Sequence, residues 1–329
     1  MRLVMFGTGP FAAPTFRALY ETSHQVVALV TQPPRVVRGK VVAADSPLRD
    51  EAVRRGTPIL DPEDINTAES QSRLAECDAE LFVVADYGQI LSAETLGLAR
   101  HGAINLHGSL LPKYRGAAPI NWALYKGETE TGVSVIHMTP RIDAGPVLAQ
   151  AKLTIDPDET AVELETRLCE LGAPLVCHVI EAIVAGSTAS LPQDLALATK
   201  ARRLRKTDGA IDWSRTPAEI KNQVRALQPW PRAYTDWLRT SGSPLRLIIG
   251  QAQAVEYMQP STSSRAKDAE PGEVLVADKQ NFFIASGHGA VAILRIQPAG
   301  RQMMSAADFL HGHPIRVGDR LGLAEEPAA

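Results

Sequence analysis

Met1-Arg2-Leu3-Val4-Met5-Phe6-Gly7-Thr8-Gly9-Pro10-Phe11-Ala12 is the stretch that decides the fold class of this chain. Arg2–Phe6 reads as a core strand, the glycines as a turn, and Phe11–Tyr20 as a helix. Strand, glycine turn and helix in that order open a βαβ unit. The segment Gly7 to Ala12 also fits the G-x-G-x-x-A pattern of dinucleotide-binding proteins. That fingerprint wants a carboxylate at the end of the second strand, which here is Gln25–Thr31 and carries none. Pro10 also removes an N–H that would face a pyrophosphate. The motif therefore reads as a tight first turn in a Rossmann-like sheet, not as a nucleotide site.

Strand and helix signals keep alternating outward from there. Ser46-Pro47 is a helix start, with serine at the N-cap and proline in the first turn, and Gly56 ends the helix. Further strands are expected at Leu81–Ala85, Ile104–His107, Val133–Met138 and Val147–Thr154. A long amphipathic helix runs from about Thr160 to Ala185, stopped by Gly186. This alternation predicts a mostly parallel, doubly wound sheet with helices on both faces. From Ser187 to Thr207 the pattern lapses into a linker with a basic end, Lys200-Ala201-Arg202-Arg203-Leu204-Arg205-Lys206. A helix near Pro217–Leu227 follows. Short strands at Leu245–Gly250, Gly272–Val276, Asn281–Ala285 and Val291–Gln297 then fit a small OB-like β-barrel. The expected division is an α/β domain over 1–189, a linker over 190–208, a barrel over 209–315 and a tail over 316–329.

Composition agrees with a two-domain globular protein: 329 residues, 45% hydrophobic and 22% charged. The apolar runs are too short to span a bilayer, and the amino terminus is a strand instead of a signal peptide. No membrane association is expected. Cys77, Cys169 and Cys177 are an odd count without metal-ligand spacing, which fits buried thiols in a reducing, cytoplasmic compartment. A monomer is expected. Charge is uneven. Residues 1–190 carry 16 Lys and Arg against 23 Asp and Glu, and residues 191–329 carry 18 against 14. A basic second half points to an anionic partner.

The chemistry concentrates in Gly102-Ala103-Ile104-Asn105-Leu106-His107-Gly108-Ser109-Leu110-Leu111-Pro112-Lys113-Tyr114-Arg115-Gly116. Residues two apart on a strand share a face, so Asn105 and His107 project together. They stand at the carboxyl edge of a parallel sheet, where open α/β proteins bind ligands. The loop Leu110-Leu111-Pro112 can line a pocket for a flat ring. Asp143, in Arg141-Ile142-Asp143-Ala144-Gly145, falls on a loop after the strand Val133–Met138, expected at the same edge. A carboxylate there accepts a hydrogen bond from His107 and favours its charged form. Imidazolium and amide donors suit a tetrahedral oxyanion. No serine or cysteine nucleophile and no metal-ligand cluster stands out. The residues read as a trio for direct acyl transfer.

Asn-x-His-x-Ser-Leu-Leu-Pro with a later Asp-x-Gly resembles the folate-dependent formyltransferase superfamily. Ile211-Asp212-Trp213, Arg225-Ala226, Pro229-Trp230-Pro231 and Leu294-Arg295-Ile296-Gln297-Pro298-Ala299-Gly300-Arg301, with Met304-Ser305-Ala306 and Asp308-Phe309-Leu310, narrow the likeness. They resemble the branch that formylates methionyl initiator tRNA. The likeness runs from Phe6 to about Gly312. It implies that Asn105, His107 and Asp143 are catalytic and that the donor cosubstrate is 10-formyltetrahydrofolate, with no metal. It implies folate contacts at Ser109, Leu110, Leu111 and Pro112, and at Gln89, Ile90 and Leu91 in Tyr87-Gly88-Gln89-Ile90-Leu91. Asp86 stands where the likeness leads one to expect a small residue. The loop Pro33–Asp45 resembles an insertion that meets the tRNA acceptor end, which implicates Arg35, Arg38 and Lys40. Arg203 and Lys206 would add phosphate contacts, which position more than they specify.

Other readings are a formyltransferase acting on a sugar nucleotide or a purine precursor, a formyl-folate hydrolase, and a nucleic-acid-binding protein on an idle scaffold. A purine enzyme would lack residues after about 200, and a sugar enzyme would carry a further domain. The presence of all three catalytic residues weighs against the idle scaffold.

Overall fold

The computed structural model describes residues 1–37, 40–42, 46–240, 242–255 and 269–324, the side chains of 35–37 and 40–42 excepted. The chain forms two compact units. The first comprises residues 1–120, 129–155 and 163–203, and the second residues 121–128, 156–162 and 204–329.

In chain order the first half holds β1 (Arg2–Phe6), α1 (Ala13–Leu19), β2 (Gln25–Val30), β3 (Arg35–Val37), β4 (Lys40–Val42), α2 (Pro47–Arg55) and β5 (Ile59–Leu60). Next come α3 (Ala68–Ala75), β6 (Leu81–Val84), α4 (Ala93–Leu96), β7 (Ala103–His107), α5 (Pro119–Tyr125), β8 (Glu130–His137), β9 (Val147–Thr154) and α6 (Ala161–Val184). The sheet order is β5-β2-β1-β6-β7-β8-β9. Pairings from β5 through β7 are parallel, whereas β7–β8 and β8–β9 are antiparallel. Leu3, Val4, Met5 and Phe6 of β1 are fully buried, as expected of a central strand covered on both faces.

Local chemistry sets several boundaries. The Ser46 hydroxyl accepts from Arg49 N–H, Pro47 opens α2, and Gly56 closes it in the left-handed region. The 24-residue α6 packs behind β7. A Cβ on Gly172 would stand 2.6 Å from Leu106 Cδ2, so glycine permits this close approach. Leu106 therefore faces α6, and alternation sends Asn105 and His107 to the other face.

The second unit adds α7 (Pro217–Ala226), β10 (Ala233–Leu238), β11 (Leu245–Val255), β12 (Val274–Ala277), β13 (Phe282–Ser286), β14 (Gly289–Pro298), β15 (Met304–Ser305), α8 (Ala306–Gly312) and β16 (Arg320–Gly322). The antiparallel order is β12-β13-β14-β11-β10-β16, with β15 beside β14. Val274 N–H donates to the Asp319 carbonyl and Leu321 N–H to that of Gly272, each at 2.8 Å, which closes the sheet into a barrel. Trp213, Trp237, Ile249, Phe282 and Phe309 fill its core.

Four expectations change. The Pro33–Asp45 loop contains a hairpin, β3 paired antiparallel to β4. Residues 190–208 are not a free linker: Thr199 N–H bonds the Pro112 carbonyl and Ala201 N–H that of Arg115, so the segment up to Arg203 packs with the first unit. The boundary at 315 cuts the barrel short, because β16 pairs with β10. Residues 121–128 and 156–162 join the second unit. Asn121 Nδ2 bonds the Ala226 carbonyl at 2.7 Å, and Arg225 Nη1 bonds the carbonyls of Asp156 and Glu159. Among the described residues no helix is long and apolar enough to cross a membrane.

Candidate active site

Asn105, His107 and Asp143 converge. Asn105 Nδ2 lies 3.4 Å from Asp143 Oδ1, and His107 Nδ1 lies 3.6 Å from Asp143 Oδ2. The His107 side chain is 6% exposed and that of Asp143 14%, so the pair is shielded enough for its electrostatics to matter. His107 Nε2 is 2.9 Å from the Tyr114 carbonyl oxygen. A carbonyl only accepts, so Nε2 carries a hydrogen and Nδ1 is left facing the carboxylate. The second Asp143 oxygen also accepts from Gly116 N–H at 2.9 Å.

Asp143 does not arrive by the route its sequence position suggests. Because β8 is antiparallel to β7, its end at His137 lies opposite Ile104, near the start of β7. The loop therefore leaves beside the start of the strand, not at its carboxyl edge, and folds back to bring Asp143 onto Asn105 and His107. Gln193 holds that return: its Nε2 bonds the carbonyls of Asp143 at 2.8 Å and Gly145 at 2.6 Å. Arg115 in turn grips Gln193 Oε1 through Nε and Nη2, at 3.0 and 2.8 Å. Tyr114 and Asp143 both have positive φ, 62° and 48°, a strained geometry for non-glycine residues that clusters at functional sites. Gln193 went unread because nothing in its local sequence points 50 residues back.

The residues expected to meet folate are placed unevenly. The Ser109 hydroxyl is spent on the Lys113 carbonyl at 2.7 Å, and Ser134 Oγ donates to the Ser109 carbonyl. Leu111 is buried against Ile136 and Val147, while Leu110 and Pro112 are half-buried. Gln89 ties down a neighbouring loop, accepting from Ile65 N–H and donating to the Pro62 and Glu63 carbonyls. Leu91 is in the core, and Ile90 is 61% exposed. Ile90, Leu110 and Pro112 are thus the side chains open to a ligand, and the others shape backbone. Arg203 and Lys206 are exposed. Arg38 lies outside the described residues, and Arg35 and Lys40 fall on β3 and β4, where side chains are not described.

Asp86 follows β6 and meets the first glycine turn. Gly9 N–H donates to its carboxylate, and a Cβ on Gly9 would stand 1.8 Å from Asp86 Oδ2. Asp86 is open to solvent yet walled by protein on most sides. The thinned hydration pushes its carboxyl up to about 6, against the Gly9 bond. Glu165 on α6 is pushed up to about 7, first by burial and then by the charge of Asp86. The cradle that would hold a pyrophosphate in a dinucleotide enzyme holds a carboxylate here, which repels phosphate.

An Asn/His/Asp constellation on a Rossmann-like sheet, with no serine or cysteine nucleophile in contact with it among the described residues, is that of a group-transfer enzyme. Residues 1–180 match the formyl transferase family and residues 203–314 the formyl transferase C-terminal domain. The chain belongs to the formyl transferase family, in its methionyl-tRNA formyltransferase branch. It is 41% identical to the methionyl-tRNA formyltransferase of Rhodopirellula baltica, over 98% of this chain and 96% of that one. It is also 41% identical to that of Moorella thermoacetica, over 98% and 99%. In structure it resembles a sugar 3N-formyl transferase solved with dTDP and 5-N-formyl-THF, at TM-score 0.65 and 19% identity, covering 92% of this chain and 99% of that one. A likeness at that identity speaks for the fold alone.

Proposed function

We propose that the enzyme moves the formyl group of 10-formyltetrahydrofolate to the free amine of methionyl initiator tRNA. The convergence of Asn105, His107 and Asp143 on one point carries the reading. The relatives' shared name supports the acceptor. The amine attacks the formyl carbon, and the carbonyl oxygen takes up negative charge. Asn105 has one amide hydrogen turned to Asp143 and the other free for that oxygen. With Nε2–H held by the Tyr114 carbonyl, His107 turns Nδ1 to Asp143 and fixes the carboxylate beside the reacting carbon. The amine's proton leaves through Asp143 and water, and the C–N10 bond breaks as N10 is protonated. Ile90, Leu110 and Pro112 would flank the folate ring. The α/β unit would carry catalysis and the barrel, out to β16, tRNA binding, with Arg35, Arg38, Lys40, Arg203 and Lys206 on phosphates.

The test is formylation of methionyl initiator tRNA with 10-formyltetrahydrofolate. Transfer to a sugar nucleotide and not to tRNA would overturn the reading. Asp143→Asn should cut kcat by roughly 10²–10⁴ while tRNA affinity holds. Turnover at the unmodified rate would remove Asp143 from the mechanism.

A further inference from the structure

The motifs Pro229-Trp230-Pro231 and Leu294 to Arg301 lie 65 residues apart and have no part in the trio's chemistry. In the second unit they meet. Arg232 Nη1 donates to Gln297 Oε1 at 2.9 Å, and Gln297 Nε2 donates to the Arg301 carbonyl at 2.6 Å. Beside this join stands Trp230, 50% exposed. Its indole makes no ring or cation–π contact among the described residues.

Trp230 is held out firmly. Prolines flank it, and each fixes its own φ. Arg232 N–H bonds the Leu227 carbonyl at 2.9 Å, closing the loop at its base. Arg232 Nε bonds the Pro229 carbonyl at 3.2 Å, and Gln228 Nε2 bonds that of Gly250 at 2.7 Å. Arg232 itself has φ of 70°, a strained geometry that the surrounding bonds impose. The loop thus presents a large flat ring in one orientation, at little ordering cost to a ligand.

The surroundings are one-signed. Residues 228–232 and 294–303 contain Arg232, Arg295 and Arg301 and no acidic residue. All three arginines are exposed. Neither Arg295 nor Arg301 is ion-paired among the described residues. A rigid exposed aromatic beside unneutralised arginines is what binds a flipped-out base and its phosphate. A protein partner would equally accept the indole, but three guanidinium groups facing no carboxylate among the described residues favour a polyanion.

We infer that Trp230, Arg232 and Arg301 form a platform on which one unpaired nucleotide of the RNA substrate stacks its base and sets its phosphate. The inference rests on the tRNA reading above and adds the element that engages a single-stranded nucleotide.

The test compares Trp230→Leu, Trp230→Phe and Arg301→Ala in the full-length enzyme. Trp230→Leu should raise both the Kd and the KM for methionyl-tRNA roughly tenfold. Trp230→Phe should stay within about threefold, and the KM for the formyl donor should not move in either. Arg301→Ala should weaken binding and lower the slope of log K against log salt by about one, whereas Trp230→Leu should leave the slope alone. Unchanged tRNA affinity in Trp230→Leu overturns the platform. So does equal loss in Trp230→Phe, which would mean packing and not stacking. A single-stranded oligoribonucleotide titrated onto the same proteins keeps the two ideas apart. An enzyme that formylates no aminoacyl-tRNA defeats the functional reading. An oligoribonucleotide bound equally by the unmodified enzyme and Trp230→Leu defeats the platform.

Discussion

At the residue scale, His107 is useful because both its nitrogens are assigned by their neighbours. The Tyr114 carbonyl takes the Nε2 hydrogen, so the other nitrogen is committed to Asp143. That commitment depends on Gln193, which fixes the Asp143 backbone. Gln193→Ala should lower kcat by roughly 10–100-fold with a smaller effect on either KM. Rescue by Gln193→Glu is not expected, since a carboxylate cannot donate to the two carbonyls. A kcat within twofold of the unmodified enzyme would show that the loop holds its shape without that clamp. Glu165 carries a different consequence. Its carboxyl titrates near 7 when folded, against an ordinary value of 4.5. Between those values the folded chain holds a proton the unfolded chain has lost, so stability falls as pH rises from about 4.5 through 7. Glu165→Gln should therefore raise stability at pH 8 by on the order of 1–3 kcal/mol. The gain should vanish near pH 4, as denaturant melts at the two pH values would show. Asn105 and His107 share one strand motif, whereas Asp143 was readable only as a carboxylate on a separate loop 36 residues on. Asp86 was legible as an odd residue at its position, but its Glu165 neighbour lies on a helix 79 residues away and left no local mark.

At the element scale, sequence reading succeeds where the signal is packed into a few residues. Ser46-Pro47 and Gly56 delimit α2 because cap bonds span three or four positions. β1 and β9 match their expected bounds end to end. The two-residue strand β5 and the short helices α3, α4 and α5 escape because so few residues hold little periodicity. β10 was missed because its apolar residues are broken by Thr235 and Asp236, both buried, Thr235 bonded to Trp213 in the core and Asp236 to Arg246 on the other face. The α7 helix has the strongest start signal in the second unit, a reciprocal cap between Thr216 and Glu219. Thr216→Ala should cost about 1 kcal/mol of stability and leave the KM for the formyl donor unchanged. A melting temperature equal to that of the unmodified protein would mean the helix is held by packing alone.

At the scale of the whole molecule, the opposite charges of the two halves have a measurable consequence. Arg203 and Lys206 are exposed and belong to the basic stretch that begins the second half. Replacing both with alanine should weaken tRNA binding evenly across tRNA species. The slope of log K against log salt should fall by about two. Loss confined to initiator tRNA would instead make them readers of identity.

The sequence by itself determined the Rossmann-like sheet, the barrel and the placing of Asn105 and His107 on one strand face, because periodicity, caps and a contiguous motif are properties of neighbouring residues. The first glycine turn was also readable as a tight turn of the sheet, from the missing carboxylate on the second strand and from Pro10. The tertiary structure decided what depends on the path of the chain. It turned β8 against β7 and so sent the Asp143 loop back over the strand. It also brought Gln193 to that loop, placed Asp86 in the glycine cradle beside Glu165, and joined Arg232 to Gln297. Each of these is a contact between residues tens of positions apart, and only the folded backbone sets which of many distant pairs will meet.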